Sequence, residues 1–396
     1  MNKMTVRDIE VSGKRVLVRV DFNVPVDPKT GEITDDSRIR ASLPTIKYLL
    51  EHKASIVLMS HFGRPKGKVV NDMRLAPVAK RLSQILKKPV KTTDDCIGPE
   101  VTQAVKALKP GEVLLLENLR FHAEEEAGDA NFARELASLG DVYVNDAFGT
   151  SHRPHASISG IAKYLPAVAG FLLEKEINTL GGLIENPAHP FTSLFGGAKV
   201  SDKIAVLNNI MKKVDCLLIG GGMAATFLKA QSRHVGTSAV EDESMATAAG
   251  LMQDAQKKGV RLLLPVDVVV ADDLTGESKA TVTAIDVIPP TQKIADIGPK
   301  TVELFSQELK RSKTVFWNGP MGVHEIPQFA QGTRALATLI SRLKATTVVG
   351  GGSTAEVIDA MGLTDKVTFV STGGGASLEF LGGDELPGVA ALMDKK

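Results

Sequence analysis

The sequence contains little cysteine and no long apolar run. Its two cysteines, Cys96 and Cys216, lack the paired spacing of metal-binding or redox motifs, so we interpret them as structural thiols in a reducing compartment. No stretch approaches about 18 uninterrupted apolar residues, the length that a membrane-spanning helix needs. The first residues also lack the apolar core of a signal peptide. The sequence therefore predicts a cytoplasmic protein with no membrane partner.

A strong excess of charge of either sign is also missing. The net charge is +1, from 47 Lys and Arg against 46 Asp and Glu, which argues against non-specific binding of nucleic acid. The balance differs along the chain. Residues 1–170 hold 25 basic and 21 acidic side chains, a difference of +4, and the remainder holds 22 and 25, a difference of −3. This asymmetry favours an anionic ligand on the first half.

Short apolar runs alternate with amphipathic segments over the whole length. The runs lack the strict alternation of half-buried strands, which is typical of strands covered on both faces in a parallel sheet. We predict strands at Arg15–Val20, Ala54–Met59, Glu112–Leu116, Val142–Val144, Phe191–Phe195, Cys216–Ile219, Arg261–Val270, Thr314–Trp317, Thr346–Val349 and Val367–Val370. Helical periodicity separates them, as at Leu75–Leu86, Asn131–Leu139 and Glu243–Lys258. This order predicts an α/β fold of doubly wound, Rossmann-like parallel sheets.

The length of the chain predicts two domains rather than one. The segment 171–186 has helical periodicity, precedes Pro187 and Pro190, and falls where the character of the loops changes. We interpret it as an interdomain helix. It would join an N-terminal domain of residues 1–170 to a C-terminal domain of residues 187–379, with a cleft between them.

The loops of the first half are rich in arginine and histidine where the predicted strands end. Ligands in open α/β folds bind beyond the carboxyl ends of the strands, and guanidinium groups suit carboxylate and phosphate oxygens. The candidate anion-binding residues are Arg38, Arg64, Arg120 and Arg153, with His61, His152 and His155 near them in sequence. Asp21 and Asn23 follow the first strand and can bind hydroxyl groups. This half therefore predicts a small ligand with at least two anionic groups and a hydroxyl.

The loops of the second half are rich in glycine, at 196–197, 220–222, 350–352 and 373–375. Helix N-termini after such turns bind phosphate groups, so we predict that several of them converge on a triphosphate. Lys199 and Lys203 follow the first of these turns. We predict that a helix begins near Lys199 and directs both ammonium groups to one side, where an anion would separate them. The sequence has no Walker A motif, which excludes a P-loop enzyme.

Two alternatives fit parts of this pattern. Segments 220–225 and 350–355 both match G-x-G-x-x-A, with the acidic Glu241 about 20 residues after the first, so a nicotinamide-dependent dehydrogenase is a second hypothesis. It leaves the two lysines unexplained. A two-lobed binding protein for organic phosphates is the third, although such proteins are usually exported. Glu325 follows another strand and is either a ribose ligand or a solvated carboxylate, with neither favoured.

Six motifs resemble those of the phosphoglycerate kinase family, in family order and over essentially the full length of the chain. They are Arg19-Val20-Asp21-Phe22-Asn23-Val24-Pro25, Leu58-Met59-Ser60-His61-Phe62-Gly63-Arg64-Pro65, Glu117-Asn118-Leu119-Arg120-Phe121, Gly196-Gly197-Ala198-Lys199-Val200-Ser201-Asp202-Lys203, Trp317-Asn318-Gly319-Pro320 and Ser371-Thr372-Gly373-Gly374-Gly375-Ala376-Ser377-Leu378-Glu379. The resemblance implies a glycolytic transferase that moves a phosphoryl group between 1,3-bisphosphoglycerate and ADP, giving 3-phosphoglycerate and ATP, with Mg²⁺ bound to the nucleotide. It also implies a monomer whose C-terminal tail, about residues 380–396, packs on the first domain.

The resemblance assigns residues to each substrate. To 3-phosphoglycerate it assigns Asp21, Asn23, Arg38, His61, Arg64, Arg120 and Arg153. We predict that Phe22, Phe62 and Gly63, which lie in the same motifs, also belong to this substrate-binding site. To the nucleotide it assigns Lys203, Gly298, Glu325 and the turn Gly351, Gly352, Ser353 and Thr354. The acceptor carboxylate is ionised at neutral pH, so no general base is needed. We predict that Lys199, Arg38 and backbone amides near Gly352 and Gly375 stabilise the transferred group once the domains close.

One position departs from the family pattern. Many members have Asp after the third glycine of the turn, near the magnesium ion, whereas this chain has Ser353. Mg²⁺ commonly binds through one or two carboxylates together with substrate phosphates. We therefore predict no protein residue as a direct metal ligand, and we expect the nucleotide phosphates to hold the ion.

Overall fold

The structure, a computed structural model, describes residues 2–395. Contacts between Cα atoms divide the chain into two units. The first runs to Asn178 and includes the chain again from Glu385, and the second is Thr179–Asp384. Each unit contains a six-stranded parallel sheet, so the α/β class predicted from the sequence is confirmed. Among the described residues, no helix combines the length and apolarity needed to cross a membrane.

The sheet of the first unit has buried strands at its centre. Its strands are β1 Arg15–Arg19, β2 Ser55–Met59, β3 Val90–Thr92, β4 Val113–Leu115, β5 Val142–Asn145 and β6 Ala167–Ala169. They are arranged in the order β3-β4-β2-β1-β5-β6. All residues of β2 and β5 are buried, which explains why their sequences do not alternate. The register places Arg19 beside Met59 and Asn145, so the residues after β1, β2 and β5 share one edge of the sheet.

Helices connect these strands. They are α1 Ser37–Ala41, α2 Leu43–Glu51, α3 Ala76–Leu86, α4 Pro99–Lys106, α5 Ala123–Ala127, α6 Ala130–Ala137 and α7 Phe171–Glu185. A π-helical turn, Ala156–Gly160, lies between β5 and β6. Asp146 Oδ1 accepts hydrogen bonds from the amides of Leu172 and Leu173 and so caps α7. The boundary between the two units falls inside α7, after Asn178.

The second unit has a parallel sheet and a smaller antiparallel one. Its strands are β7 Phe191–Phe195, β8 Cys216–Ile219, β9 Arg261–Leu263, β10 Asp267–Ala271, β11 Thr281–Ala284, β12 Lys293–Ile297, β13 Thr314–Asn318, β14 Thr346–Gly350 and β15 Phe369–Val370. The parallel order is β15-β14-β13-β7-β8-β9, and β10 lies between β11 and β12 in the antiparallel sheet. The helices are α8 Ile204–Ile210, α9 Met223–Ala230, α10 Met245–Lys258, α11 Pro299–Arg311, α12 Gln331–Ile340, α13 Gly352–Ala360 and α14 Gly375–Gly382.

Two local predictions were wrong. The apolar run Arg261–Val270 is not one strand but two, β9 and β10, which belong to different sheets. Pro265 lies between them and lacks the amide that a continuous strand would use. The helix predicted to begin near Lys199 begins at Ile204, after a 3₁₀ turn at Ser201–Lys203. The short strands β3, β6, β11 and β12 were not predicted.

The C-terminal segment belongs to the first unit from Glu385 onward. It includes the last helix, α15 Pro387–Ala390. The amide of Gly388 donates to the Ser151 carbonyl at 2.8 Å, and Met4 donates to Met393 at 2.8 Å. The predicted tail ended at Lys396, which lies outside the described residues.

Candidate active site

His61 lies at the centre of a cluster of arginines in the first unit. It follows β2, and only 6% of its side chain is exposed. Burial holds the pKa of its imidazole well below the usual value, and the positive charges of nearby arginines lower it further. Those charges belong to Arg19, Arg120, Arg38 and Arg153. The structure therefore brings three of the four predicted arginines around a neutral histidine.

Arg120 is buried and has guanidinium nitrogens without hydrogen-bond partners. It lies on a 3₁₀ turn, Leu119–Phe121, that follows β4. Its Nη1 donates to the Gly63 carbonyl at 2.9 Å, and its Nε lies 3.3 Å from Glu126 Oε1. Neither Nε nor Nη2 has a hydrogen-bond acceptor among the described residues. The Glu126 carboxylate leaves these two nitrogens without hydrogen bonds, so this geometry fits an additional, anionic ligand.

Arg38 and Asp21 form an ion pair beside this cluster. Arg38 Nη1 lies 2.6 Å from Asp21 Oδ2, and His61 Nδ1 lies 3.9 Å from Asp21 Oδ1. Asn23 Oδ1 accepts the Gly63 amide at 2.8 Å, which joins the loop after β1 to the loop after β2. A second link is made by Phe22, whose amide donates to Ser60 Oγ at 2.9 Å. The two loops form one surface of polar side chains.

Three other residues predicted for this site, Arg153, Phe62 and Arg64, differ in burial and in their contacts. Arg153 is partly buried, and its Nε donates to His152 Nε2 at 3.2 Å. Phe62 is buried, and its amide and carbonyl are both bonded to the side chain of Asn118. Arg64 is exposed and makes no hydrogen bond or ion pair with any residue of the described chain. It is the one predicted arginine that the structure does not bring into the cluster.

Arg19 is the residue of this cluster that the sequence analysis missed. It ends β1 and is completely buried, yet it was predicted as part of a strand and included in the first family motif without a role. Its Nη2 lies 3.2 Å from His61 Nδ1. A charged residue that closes a run of buried aliphatic residues was the available signal, because such a charge needs partners inside the fold.

In the second unit, the glycine turns after β7, β8 and β13 pack against one another. A Cβ on Gly196 would lie 2.1 Å from the Pro320 carbonyl oxygen. Gly221 has a φ of +64°, and a Cβ there would lie 2.5 Å from the Gly197 nitrogen. The amides of Gly197 and Gly221 donate to the carbonyls of Pro320 and Met321. These glycines therefore allow backbones to meet, and both of these amides are already bonded within the protein.

The turn after β14 is different, because it is open. Among the described residues, nothing outside the adjoining backbone lies within 4 Å of where a Cβ on Gly352 would be, and Ser353 is exposed. No side chain caps α13, which begins at Gly352, or α14, which begins at Gly375. The Thr354 hydroxyl points elsewhere and accepts the Gly319 amide at 2.8 Å. The first turns of α13 and α14 are therefore suited to phosphate oxygens.

Lys203 lies in the segment that follows β7, and it contacts Asn318, the last residue of β13. Lys203 Nζ donates to Asn318 Oδ1, and burial lowers the pKa of Lys203 to about 8. Asn318 Nδ2 is buried and has no hydrogen-bond partner among the described residues, and a Cβ on Gly351 would lie 3.1 Å from it. This pair combines a desolvated cation with an unused donor, which again fits an anion. Sequence reasoning included Asn318 in a motif but gave it no role.

Lys199 and Lys203 do not share a helix face, contrary to prediction. Lys199 is exposed, whereas Lys203 is partly buried. The intervening backbone is held by Glu241, which accepts the amides of Val200 and Ser201 and the Ser201 hydroxyl. These bonds also engage the carboxylate that the dehydrogenase hypothesis needed for a ribose.

Two further predicted nucleotide residues lie at the ends of β12 and β13. Gly298 precedes α11, whose first amides donate to Asp267. Glu325 is exposed, and its Oε2 lies 3.1 Å from His324 Nδ1.

One group of possible metal ligands lies next to the turn that contains Arg120. The ligand atoms of Asp95, Cys96 and His122 all lie within 4.8 Å of one another. His122 Nε2 already lies 2.6 Å from Asp95 Oδ1, and burial raises the pKa of the Cys96 thiol well above its usual value. A hydrogen-bonded pair beside a protonated thiol accounts for this cluster.

A cluster of arginines in the first unit and uncapped helix N-termini in the second are features of phosphotransferases that act on small anionic substrates. The sequence profile of the family described as "Phosphoglycerate kinase" matches residues 6–384. The chain belongs to the phosphoglycerate kinase family, and the resemblance of its six motifs is confirmed.

Relatives and solved structures agree with this membership. The phosphoglycerate kinase of Moorella thermoacetica is 55% identical over 395 residues, and that of a Roseiflexus species is 56% identical over 396, each with 100% of both chains covered. The structure of phosphoglycerate kinase from Coxiella burnetii matches with a TM-score of 0.88 and 42% identity, covering 98% of each chain.

Proposed function

We propose that this protein catalyses the reversible transfer of a phosphoryl group from 1,3-bisphosphoglycerate to ADP, giving 3-phosphoglycerate and ATP. The observation that carries the proposal is the arginine cluster around His61, in which Nε and Nη2 of the buried Arg120 have no hydrogen-bond acceptor among the described residues. A ligand with a carboxylate and a phosphate group supplies the acceptors that this cluster lacks. The family membership of the chain supports the same reaction.

The first unit would bind the phosphoglycerate. Guanidinium groups of Arg38, Arg120 and Arg153 would contact its anionic groups, and the Asp21 carboxylate would accept its hydroxyl. Arg64 is exposed and unpaired among the described residues, so it is available to reach the ligand without breaking another contact. Phe22, Phe62 and Gly63 would shape the loop around the ligand through the backbone bonds that join them to Ser60, Asn118 and Asn23.

The second unit would bind the nucleotide. The open first turn of α13 with Gly351, Gly352 and Ser353 would receive phosphate oxygens, together with Lys203 and Asn318. Gly298 and Glu325 would contact the nucleoside. A nicotinamide cofactor fits less well, because the amides of Gly221 and Met223 in its first matching segment donate to the carbonyls of Met321 and Gly197.

The transfer needs charge stabilisation and no base. The acceptor carboxylate is ionised at neutral pH, so no residue has to remove a proton from it. Lys199, which is exposed, and Arg38 would neutralise charge on the transferred group, and amides near Gly352 and Gly375 would donate to its oxygens. We infer that the two units close around both substrates before transfer, which would also exclude water.

Magnesium would enter with the nucleotide. When bound, it neutralises phosphate charge and orients the phosphates for transfer. Ser353 offers a hydroxyl where a carboxylate would be the usual ligand, and the nearby Glu356 and Glu325 are exposed and lie beside His324. These residues fit an ion held chiefly by phosphate oxygens and water.

The setting is part of the same proposal. Cys96 and Cys216 are both free and buried, which supports a reducing cytoplasm. The monomeric state follows from the resemblance to the family.

A coupled assay with ATP and 3-phosphoglycerate tests the function. Arg38 and Arg40 give a matched pair, because both lie on α1 and Arg40 is exposed and bonded to Asp36 instead. We expect Arg38→Met to lower kcat by at least about 100-fold and Arg40→Met to leave it within about twofold. A wild-type protein that forms no ADP, or two variants with equal rates, would contradict the proposal.

A further inference from the structure

A continuous chain of buried hydrogen bonds runs from His61 to a carboxylate outside the proposed substrate surface. His61 Nδ1 lies 3.2 Å from Arg19 Nη2, and Arg19 Nε donates to Ser157 Oγ at 3.0 Å. Ser157 Oγ donates to Glu125 Oε1 at 2.6 Å. Arg19, Ser157 and Glu125 are all completely buried.

The chemistry of the groups fixes the direction of each bond. Arginine has only donors, so the Arg19 guanidinium must donate to His61 Nδ1, which is then unprotonated. The Glu125 carboxylate accepts from both the hydroxyl and the amide of Ser157, the latter at 2.9 Å to Oε2. The Ser157 hydroxyl therefore accepts a hydrogen bond from Arg19 and donates one to Glu125.

The tautomer of His61 follows from this order. A neutral imidazole with an unprotonated Nδ1 bears its proton on Nε2. Nε2 has no hydrogen-bond partner among the described residues, so it is available as a donor to an anion in the arginine cluster. Histidine with the opposite tautomer would present a lone pair to that anion and would repel it.

The local fold holds the chain in place. Ser157 lies on the π-helical turn Ala156–Gly160, in which the Gly160 amide bonds to the His155 carbonyl. This wider turn directs both the amide and the hydroxyl of Ser157 to Glu125. The remaining Arg19 nitrogen, Nη1, donates to the Val20 carbonyl, so every nitrogen of this guanidinium group has an acceptor.

We propose that Glu125 and Ser157 are positioning residues for the phosphoglycerate site, which act through Arg19 to keep His61 in the tautomer that donates from Nε2. The inference rests on the proposed function. The negative charge of Glu125 offsets the cost of burying the Arg19 guanidinium group, and the Ser157 hydroxyl links the two side chains. Neither residue touches the substrate.

The test measures substrate binding and the tautomer of His61 in the same variants. Ser157→Ala removes the bridging hydroxyl and keeps the amide. Ser42→Ala is the matched control, because Ser42 is also buried in the first unit and its hydroxyl has no hydrogen-bond partner among the described residues. We expect Ser157→Ala to raise the Kd and KM for 3-phosphoglycerate about tenfold or more, with the KM for ATP unchanged. Ser42→Ala should change neither.

Two-bond ¹H–¹⁵N correlation spectra of protein labelled at histidine report the tautomer, with His61→Gln used to assign the signal. The wild-type protein should show a single tautomer protonated at Nε2, and Ser157→Ala should show a mixture. Glu125→Gln should give the same split between the two KM values. If the Glu125→Gln variant does not fold, the Ser157→Ala variant alone tests the proposal.

The outcomes separate this inference from the function on which it rests. A wild-type protein that does not bind 3-phosphoglycerate would overturn both. A wild-type protein that binds it, with a folded Ser157→Ala variant of unchanged affinity and unchanged tautomer, would overturn the positioning role alone. Equal rises in the KM for ATP and for 3-phosphoglycerate would indicate a merely structural effect and would also overturn it.

Discussion

Nucleotide binding should be coupled to proton uptake by Lys203. Burial lowers the pKa of its ammonium group from 10.5 to about 8, and the bond to Asn318 does not restore it. Phosphate oxygens beside the ammonium would favour its charged form and return the pKa toward its usual value. The free enzyme should therefore contain a partly deprotonated lysine at mildly alkaline pH, and the complex a protonated one.

The size of the effect follows from that pKa. With a pKa of about 8, binding should take up about half a proton at pH 8 and about nine-tenths of one at pH 9. The apparent Kd for ADP should rise about tenfold between pH 7 and pH 9, because protonation of Lys203 then consumes part of the binding free energy. At full shift the restored pKa is worth about 3 kcal/mol.

Isothermal titration calorimetry measures this uptake directly. ADP with Mg²⁺ is titrated at one alkaline pH in two buffers with different ionisation enthalpies, and the difference gives the protons taken up. Alkaline pH is chosen because the phosphates of ADP are then fully ionised. Lys203→Met should abolish the uptake, whereas Lys199→Met should keep it, since Lys199 is exposed.

Stability gives a second measurement on the same residue. The folded pKa lies below that of the unfolded chain, so between about pH 8 and pH 10.5 the unfolded state binds more protons and the free energy of unfolding rises with pH. The buried charge thus lowers stability at neutral pH. Lys203→Met should raise Tm there. Wild-type protein with no proton uptake at alkaline pH, or equal uptake in Lys203→Met, would refute the reasoning.

Four other outcomes are expected. Lys199→Ala should lower kcat about 100-fold with modest changes in both KM values, because its charge acts mainly in the transition state, and a variant that keeps most of its kcat would exclude this role. Ser353→Asp should lower the Mg²⁺ concentration that gives half-maximal rate at fixed ADP, whereas identical titration curves would mean that the position does not contact the ion. Burial raises the pKa of Asp296, on β12, from 3.8 to about 7, so urea unfolding should show stability that falls as pH rises from about 4 to about 7, and Asp296→Asn should flatten this slope. Small-angle scattering should give a smaller radius of gyration with both substrates bound than with either alone, and an unchanged radius would argue against closure.

The sequence predicted much of the fold because parallel strands follow simple rules. Buried runs without alternation indicate two-sided burial, and residues after such strands meet at one edge of a sheet. That geometry is enough to bring Arg38, Arg120, Arg153 and His61 together without knowledge of any contact. The rule says nothing about side-chain direction, and Arg64 follows the same strand as His61 yet remains exposed.

The errors came from contacts between distant parts of the chain. Glu241, about 40 residues further on, accepts the amides of Val200 and Ser201, and helix α8 begins only at Ile204. The glycine turns also look alike in sequence but differ in the fold. Those near Gly197 and Gly221 let loops meet, whereas the turn at Gly352 is open. The local sequence cannot distinguish these two uses of glycine, because each depends on which distant segment of the chain packs against the turn.

The buried chain from Glu125 to His61 shows why charge inside a core resists prediction. A buried ion pair is often no more stable than apolar residues of the same volume, so stability alone gives no reason for Arg19 to end an apolar strand. Arg19 fixes the direction of its hydrogen bond to His61. Because a guanidinium group can only donate, His61 Nδ1 must accept, and the imidazole is restricted to the tautomer protonated at Nε2. The identity of a residue that sets a hydrogen-bond direction depends on the ligand bound at the site, and the hydrophobic pattern of the strand does not predict it. A charged residue that interrupts an otherwise buried run is therefore a better sign of a functional site than a charged residue on a loop, where solvent accounts for most of them.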